Sequence, residues 1–385
     1  MKWNNKGHEK IGNDYYDLNS KRIYVYGAGE IGRGLHITLK KFDLFEGFID
    51  NDKKKQEIGL NGEKVFSYDY LKDKKDYIIV IVAASRLNEI EICKQLDEDG
   101  IKYYKANFFL DRILPVFLWV SRNILMMNLS QICLTERCTL HCQKCAHACY
   151  AVDKNSSDMD LNEINDTADI FFSKIDYIHE FVLIGGEPLL YKDLDKVIEY
   201  IGKRYRNKIG IFSITTNGTL LPNESVLKES RQYELYFRIS NYSKTIPALS
   251  KRYEELTTLL KNNDVNYYLG KIEEEWWDYN LGKVNGSLDE KTLISKFDSC
   301  ATPCREVKNN KLYFCVMAHT ASVNLKLFIG EDDYLDISKL PNGEIGKRIL
   351  LEYNLGYSEK GYLSMCSRCR GAECYKYPIP VAEQK

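Results

Sequence analysis

Apolar and polar positions along this chain follow two rhythms. Short β-branched and aromatic runs alternate with stretches of helical spacing, which predicts parallel strands joined by helical crossovers. Near the start, Lys21 to Tyr26 reads as a strand, Arg33 to Lys41 as a helix, and Phe45 to Ile49 as a second strand ending at Asp50. Tyr77 to Ala84 is a continuous apolar run, as expected of a parallel strand buried on both faces. Leu87 to Glu98 then places Ile90, Ile92 and Leu96 at helical spacing, so residues 21 to about 106 form a small α/β unit.

Phe108 to Met126 is the most lipophilic stretch. It carries Asp111, Arg112, Pro115 and Arg122, which makes it a poor membrane span and an amphipathic connector helix between domains. A peripheral membrane contact is the minority reading. The alternation then resumes with an apolar run from Met127 to Leu134. Asp160-Leu-Asn-Glu163 has the form of a capping box, ahead of a helical face of Leu161, Ile164, Ala168, Phe171 and Ile175. Strands are expected at Phe181 to Ile184, Ile209 to Ile214 and Tyr233 to Ser240, with helices at Asp193 to Tyr205 and Asn223 to Ser230 between them.

Composition narrows the class. The 385 residues are 44% apolar, enough for packed cores, and suit two to three domains. Lys plus Arg number 54 against 55 Asp plus Glu, so there is no electrostatic footprint for nucleic acid. Met1 to Lys10 contain no apolar run of the kind found at the core of a signal peptide, so a cytoplasmic location is expected. Twelve cysteines in a reducing compartment point to metal or catalytic thiols over disulfides.

Three of these, Cys138, Cys142 and Cys145, stand at C-x3-C-x2-C spacing just after the run ending at Leu134. One loop can thus present three thiolates to one iron-sulfur cluster and leave one iron free for a small-molecule ligand. A zinc site is the alternative, although zinc usually pairs two C-x2-C knuckles and no second knuckle lies near. The pattern resembles the cluster loop of the radical S-adenosylmethionine (SAM) superfamily. Two more segments extend the resemblance: Gly185-Gly186-Glu187-Pro188 is similar to that family's GGEP motif, and Thr215-Thr216-Asn217-Gly218 to its TTNG segment, each after a strand-like run.

The resemblance implies an open (β/α)6 barrel, a 4Fe-4S cluster on the three cysteines, and SAM held at Gly185, Gly186, Glu187, Pro188, Thr216 and Asn217. One electron from the reduced cluster would cleave SAM, giving methionine and a 5′-deoxyadenosyl radical that abstracts hydrogen. In such a barrel the carboxyl ends of strands face the substrate. Arg238, Ser240, Asn241 and Asp278 are therefore candidates for SAM or substrate contact, with surface pairing the alternative for Arg238. Trp276 and Trp277, beside Asp278, suit core or interface packing equally well.

Gly27, Gly29 and Gly32 have G-x-G-x-x-G spacing, and Asp50 stands eighteen residues beyond Gly32, as in the opening of a Rossmann unit. Glycines there let a diphosphate approach the helix N-terminus. This first unit is similar to small Rossmann-like domains fused to nucleotide-sugar and polysaccharide enzymes, which implies a nucleotide, either NAD or a nucleotide-sugar. The alternative is a domain that keeps the turn and binds nothing.

Six more cysteines, Cys300, Cys304, Cys315, Cys366, Cys369 and Cys374, resemble the SPASM and twitch extensions of the same superfamily. Two auxiliary clusters need about eight ligands, so six favour one cluster, the twitch type. Cys304, Cys315, Cys366 and Cys369 match the expected order; Cys300 is the substitute for Cys304, and Cys374 is a spare thiol. Zinc is the alternative here too. Cys149 and Cys374 are candidate hydrogen donors, whereas Cys93 and Cys133 read as small buried hydrophobes.

The fold class expected is therefore α/β: a Rossmann-like parallel sheet (1–106), a connector helix (107–126), a radical-SAM partial barrel (127–290) and a small cysteine-rich cluster-binding domain (291–385). The function expected is oxidation or epimerisation of a carbohydrate, nucleotide-linked or part of a glycan, with flavodoxin or ferredoxin as electron donor. A peptide-modifying maturase is the alternative enzyme, although those commonly begin with a winged-helix domain. A redox-sensing metal protein is the non-catalytic alternative.

Overall fold

In the first unit of the computed structural model, which ends at Asn128, five short strands form a wholly parallel sheet. They are β1 (Arg22–Tyr26), β2 (Phe45–Ile49), β3 (Val65–Phe66), β4 (Ile78–Val82) and β5 (Tyr103–Lys105), in the order β3-β2-β1-β4-β5. Strand order reverses at β1, where the glycine loop begins. The structure describes residues 18–153, 155–156, 158–272, 275–281, 288–300 and 304–385. The signal-peptide reading of Met1 to Lys10 lies outside them.

All five residues of β4 are buried, as the unbroken apolar run requires. Helix α1 (Glu30–Lys41) follows the loop, and α2 (Arg86–Glu98) follows β4. The expected connector is shorter than its apolar run. A π-helical turn, Phe109–Ile113, leads into α3 (Leu114–Arg122), whose second residue is Pro115. Asn123 then takes a left-handed conformation and ends the helix. No helix among the described residues is long and apolar enough to cross a membrane.

The second unit, from Leu129 on, is built on an eight-stranded sheet. Its parallel strands β6 (Met126–Cys133), β7 (Tyr177–Ile184), β8 (Ile209–Thr216), β9 (Tyr236–Ile239) and β10 (Tyr267–Leu269) come in chain order. Between them run α4 (Leu161–Lys174), α5 (Leu194–Tyr205), α6 (Glu224–Gln232) and α7 (Leu249–Asn262). The capping box forms as expected: Asp160 accepts from the Asn162 N–H at 2.8 Å, and Glu163 from the Asp160 N–H at 3.0 Å. Phe171, Phe172 and Phe181 pack their rings within 4.9–5.7 Å of one another between α4 and β7. Each such buried ring contributes about 1.5–3 kcal/mol.

A sixth parallel strand comes from after residue 290. It is β12 (Arg305–Lys308), which pairs with β6 on the side away from β7, with Glu306 opposite Gln131. Antiparallel β13 (Lys311–Tyr313) and β14 (Tyr334–Asp336) complete that edge. Strands β12, β13 and β14 therefore extend the sheet of the core. Short polar strands such as Arg-Glu-Val-Lys carry little apolar signal, so β12 is invisible to periodicity. A two-stranded ribbon, β11 (Glu275–Trp277) with β15 (Pro378–Pro380), sets Trp276 opposite Ile379.

Candidate active site

Hydrogen bonding between β6 and β7 continues past both strands and builds the site. Leu134 donates to the Ile184 carbonyl at 2.8 Å, Gly186 to Thr135 at 2.8 Å, and Glu187 to Arg137 at 2.9 Å. The cysteine loop and the glycine pair thus run side by side. A Cβ on Gly185 would lie 2.4 Å from the Thr135 oxygen, and one on Gly186 would lie 2.3 Å from the Arg137 oxygen. Side chains are excluded there by the approach of two backbones, which is the physical content of the double glycine.

Glu187 is fully buried and binds the neighbouring strand end. Its carboxylate accepts from the Thr216 hydroxyl at 2.8 Å, the Asn217 N–H at 2.9 Å and the Leu189 N–H at 3.1 Å. Burial pushes its pKa up to about 7 against the pull of those three donors. Asn217 reaches onward to the Cys138 sulfur at 3.5 Å and to the Thr139 hydroxyl at 3.1 Å. In this way the GGEP and TTNG segments and the cysteine loop form one bonded frame.

That frame lines a cavity of about 350 Å³. Cys138, Cys142, Cys145, Gly185, Gly186, Thr216, Asn217 and Ser240 all face it, and Tyr242, Trp276, Trp277 and Tyr279 form an aromatic wall. Three thiols on one loop, a side-chain-free backbone opposite and an aromatic wall fit a cubane cluster with a nucleoside-bearing ligand. Cys149 lines the same cavity; its hydrogen bonds hold Cys138 below the ordinary thiol range and Cys145 at about 6. Burial pushes Cys142 up to about 11.

Other expected contacts lie elsewhere. Arg238 is outside the cavity lining and pairs at 2.9 Å with buried Glu180, itself bonded by Ser213 at 2.8 Å. Asp278 is also outside the lining; it holds Lys144 of the cysteine loop at 3.2 Å and Arg370 at 3.1 Å. Asn241 turns away to the Gly270 carbonyl at 3.1 Å. Pro188 is buried at the head of a short 3-10 turn.

A second cavity is lined by Cys300, Cys315, Cys366 and Cys369 among Phe297, Phe314, Leu363 and Met365. Cys304, the first choice of ligand, does not line it; Cys300 does. Cys300 caps the helix Glu290–Ser299, whose Phe297 enters the cavity wall, whereas Cys304 leads directly into β12. Cys374 is buried with Tyr279 as its hydrogen-bonding partner. Lys296 fixes the thiol-bearing loop by donating to the carbonyls of Cys366 at 3.1 Å and Cys369 at 2.8 Å.

One charged network escaped sequence reasoning entirely. Glu136, two residues before Cys138, is ion-paired with Lys308 of β12 and with His319 Nε2 at 3.2 Å, and accepts a hydrogen bond from Asn324 at 2.8 Å. The other face of His319 meets Glu306, which also binds Gln131. Burial alone would lower the His319 pKa, but the two carboxylates raise it to about 9. His319 lies one turn after Cys315, so the network joins the surroundings of both thiol sets.

In the first unit, Gly27 has φ 114° and its Cβ would stand 2.3 Å from the Ala83 oxygen, so no other residue fits. A Cβ on Gly32 would meet the Gly27 oxygen at 1.9 Å, while one on Gly29 would meet nothing within 4 Å. The Asp50 carboxylate accepts from the Ala28 N–H at 2.9 Å and from Lys55 at 2.8 Å.

Residues 132–257 match the family model of the Radical SAM superfamily, and residues 19–106 match that of the C2185-like N-terminal family. The cysteine loop, glycine pair and TTNG segment all lie within the residues that match the Radical SAM model. An uncharacterised protein of Methanocaldococcus jannaschii is 32% identical over 108 residues, 28% of this chain and 36% of that protein. A probable GTP 3′,8-cyclase of Methanococcus aeolicus is 35% identical over 91 residues, 24% of this chain and 29% of that protein. The chain thus spans about a third of the length of these relatives. Among solved structures, anSMEcpe with bound AdoMet has 16% identity and a TM-score of 0.39, over 59% of this chain and 84% of that one. BtrN in complex with AdoMet and 2-DOIA has 17% identity and a TM-score of 0.39, over 66% of this chain and all of that one.

Proposed function

We propose that this protein is a radical SAM enzyme that abstracts hydrogen from a nucleotide-linked carbohydrate and oxidises it. The observation that carries the enzyme reading is the shared cavity of about 350 Å³ on which three thiols, two side-chain-free glycines and the Thr216–Asn217 strand end converge. Cys138, Cys142 and Cys145 would hold a 4Fe-4S cluster, and the backbone at Gly185 and Gly186 would receive SAM. The chemistry that this pair supplies when bound is a one-electron cleavage whose adenosyl fragment takes a hydrogen atom from the substrate.

The chain's own residues prepare the site. Glu187 ties two strand ends together, and Asp278 anchors Lys144 so that the loop keeps its shape. The aromatic wall would limit the access of water, which competes for the reactive fragment. A twitch-type cluster on Cys300, Cys315, Cys366 and Cys369 would provide an electron acceptor, which favours oxidation. Epimerisation needs a hydrogen donor, and Cys149 is engaged with Cys138 and Cys145. The Rossmann-like first unit would bind a nucleotide, since Gly29 leaves room beside the start of α1.

The test is anaerobic formation of 5′-deoxyadenosine by reconstituted, reduced protein with SAM, offered nucleotide-sugars, GTP or peptides in parallel. Stimulation by a nucleotide-sugar is expected. Stimulation by peptide alone would install a maturase in its place, and no cleavage under competent reduction would leave the metal-binding reading.

A further inference from the structure

Residues that follow β15 fold back onto the cysteine loop. Val381 and Ala382 are fully buried and pack with Cys142. Ala382 has φ 49°, a left-handed turn that redirects the chain. Beyond it the segment pairs antiparallel with the loop, Gln384 opposite Cys142. Gln143 donates to the Glu383 carbonyl at 2.7 Å, and Lys385 to the His141 carbonyl at 2.8 Å.

The Gln384 side chain completes this junction. Its Oε1 accepts from the His141 N–H at 2.9 Å, while its Nε2 donates to the Ala382 carbonyl at 2.6 Å and to the Cys142 sulfur at 3.3 Å. These partners fix the orientation of the amide. Flipped, its oxygen would face a carbonyl and a sulfur, and its NH₂ would face an N–H. One N–H is therefore held on a thiol that is only 6% exposed.

We propose that Gln384 is a positioning residue for the cluster bound by Cys142: it delivers one fixed N–H to that sulfur, and the segment 381–385 keeps water away, so that together they set the cluster's reduction potential. This rests on the reading of Cys138, Cys142 and Cys145 as cluster ligands. A donor on a ligand sulfur stabilises the extra negative charge of the reduced state, and solvent exclusion acts on the same balance. Removing the donor makes reduction harder. Replacing it by an acceptor of the same shape makes reduction harder still.

The experiment is an EPR-monitored redox titration of anaerobically reconstituted full-length protein, compared with Gln384→Ala and Gln384→Glu. Each variant's first-cluster potential is expected to move to a more negative value, furthest in Gln384→Glu, with the second cluster's potential unchanged. Lys385→Pro removes the backbone bond to His141 and leaves the carboxamide in the chain; faster bleaching of the first cluster by a chelator is expected. Selective loss of the first cluster in both Gln384 variants would mark a role in holding the cluster and not in tuning it, and overturns the inference. An unmoved potential in loaded Gln384→Ala and Gln384→Glu overturns the inference, as does loss of both clusters together, which marks a folding role alone. Failure of the unsubstituted protein to take up iron at the first site would instead defeat the reading beneath it.

Discussion

Around Cys138, Cys142 and Cys145 the walls are mixed and roomy: backbone glycines, two threonines, an asparagine and four aromatic side chains line about 350 Å³. Around Cys300, Cys315, Cys366 and Cys369 they are phenylalanine, leucine and methionine, closed upon four sulfurs. Three thiols with space beside them suit a metal centre that shares its coordination with a small molecule. Four thiols in a tight apolar shell suit one that is coordinatively complete. On the proposed reading, the number of sulfurs and the polarity of the wall would separate a site for chemistry from a site for electron storage.

The sharpest way to break this contrast is Cys142→Ala. Loss of SAM cleavage is expected, with bound iron falling by about half, from roughly eight to roughly four per chain, because each cubane carries four. Iron and sulfide analysis beside a cleavage assay checks both; retained cleavage would sink the assignment. Next in size is the pair Cys300→Ser and Cys304→Ser. The first should remove the second cluster's EPR signal and leave the first cluster's intact, whereas the second should preserve both. An inverted result would restore Cys304 as a ligand.

The smallest effect concerns the charged network between the two sites. Removing one partner of a buried ion pair costs ~3–5 kcal/mol, so His319→Gln should lower unfolding stability by about that much. Its folded-state pKa is raised from 6.5 to about 9. The stabilisation is therefore complete below pH 6.5 and lost as pH rises through about 9. Denaturant unfolding at pH 7 and pH 10 should show a larger loss in the unsubstituted protein than in His319→Gln; equal losses would remove His319 from the account.

Local patterns carried what lies close together in the chain. The three-cysteine loop, the glycine pair and the Asp160 capping box are each encoded within a dozen residues, and the place of the first two at strand ends follows from the alternation of elements. Features made by distant residues left no such trace. Gln384 lies 242 positions from Cys142, and Lys308 lies 172 from Glu136, so neither pairing has a period or a spacing to reveal it. Cys300 and Cys304 are four apart and equally plausible by count; only the helix that ends at Cys300 decides between them. Arg238 and Asp278 stand near strand ends, yet each is claimed by an opposite charge.

The pairing of β12 with β6 also bears on synthesis. Ser130 meets Arg305 across 175 positions, so the strand that carries the cysteine loop keeps one open edge while all those residues are made. At translation speeds of about 5–20 residues per second, that interval is roughly 10–35 s. During it the loop exists without Glu136's partners or the segment that covers Cys142. Until Lys308, His319 and residues 381–385 have been made, Glu136 and Cys142 lack the partners that enclose them in the folded chain.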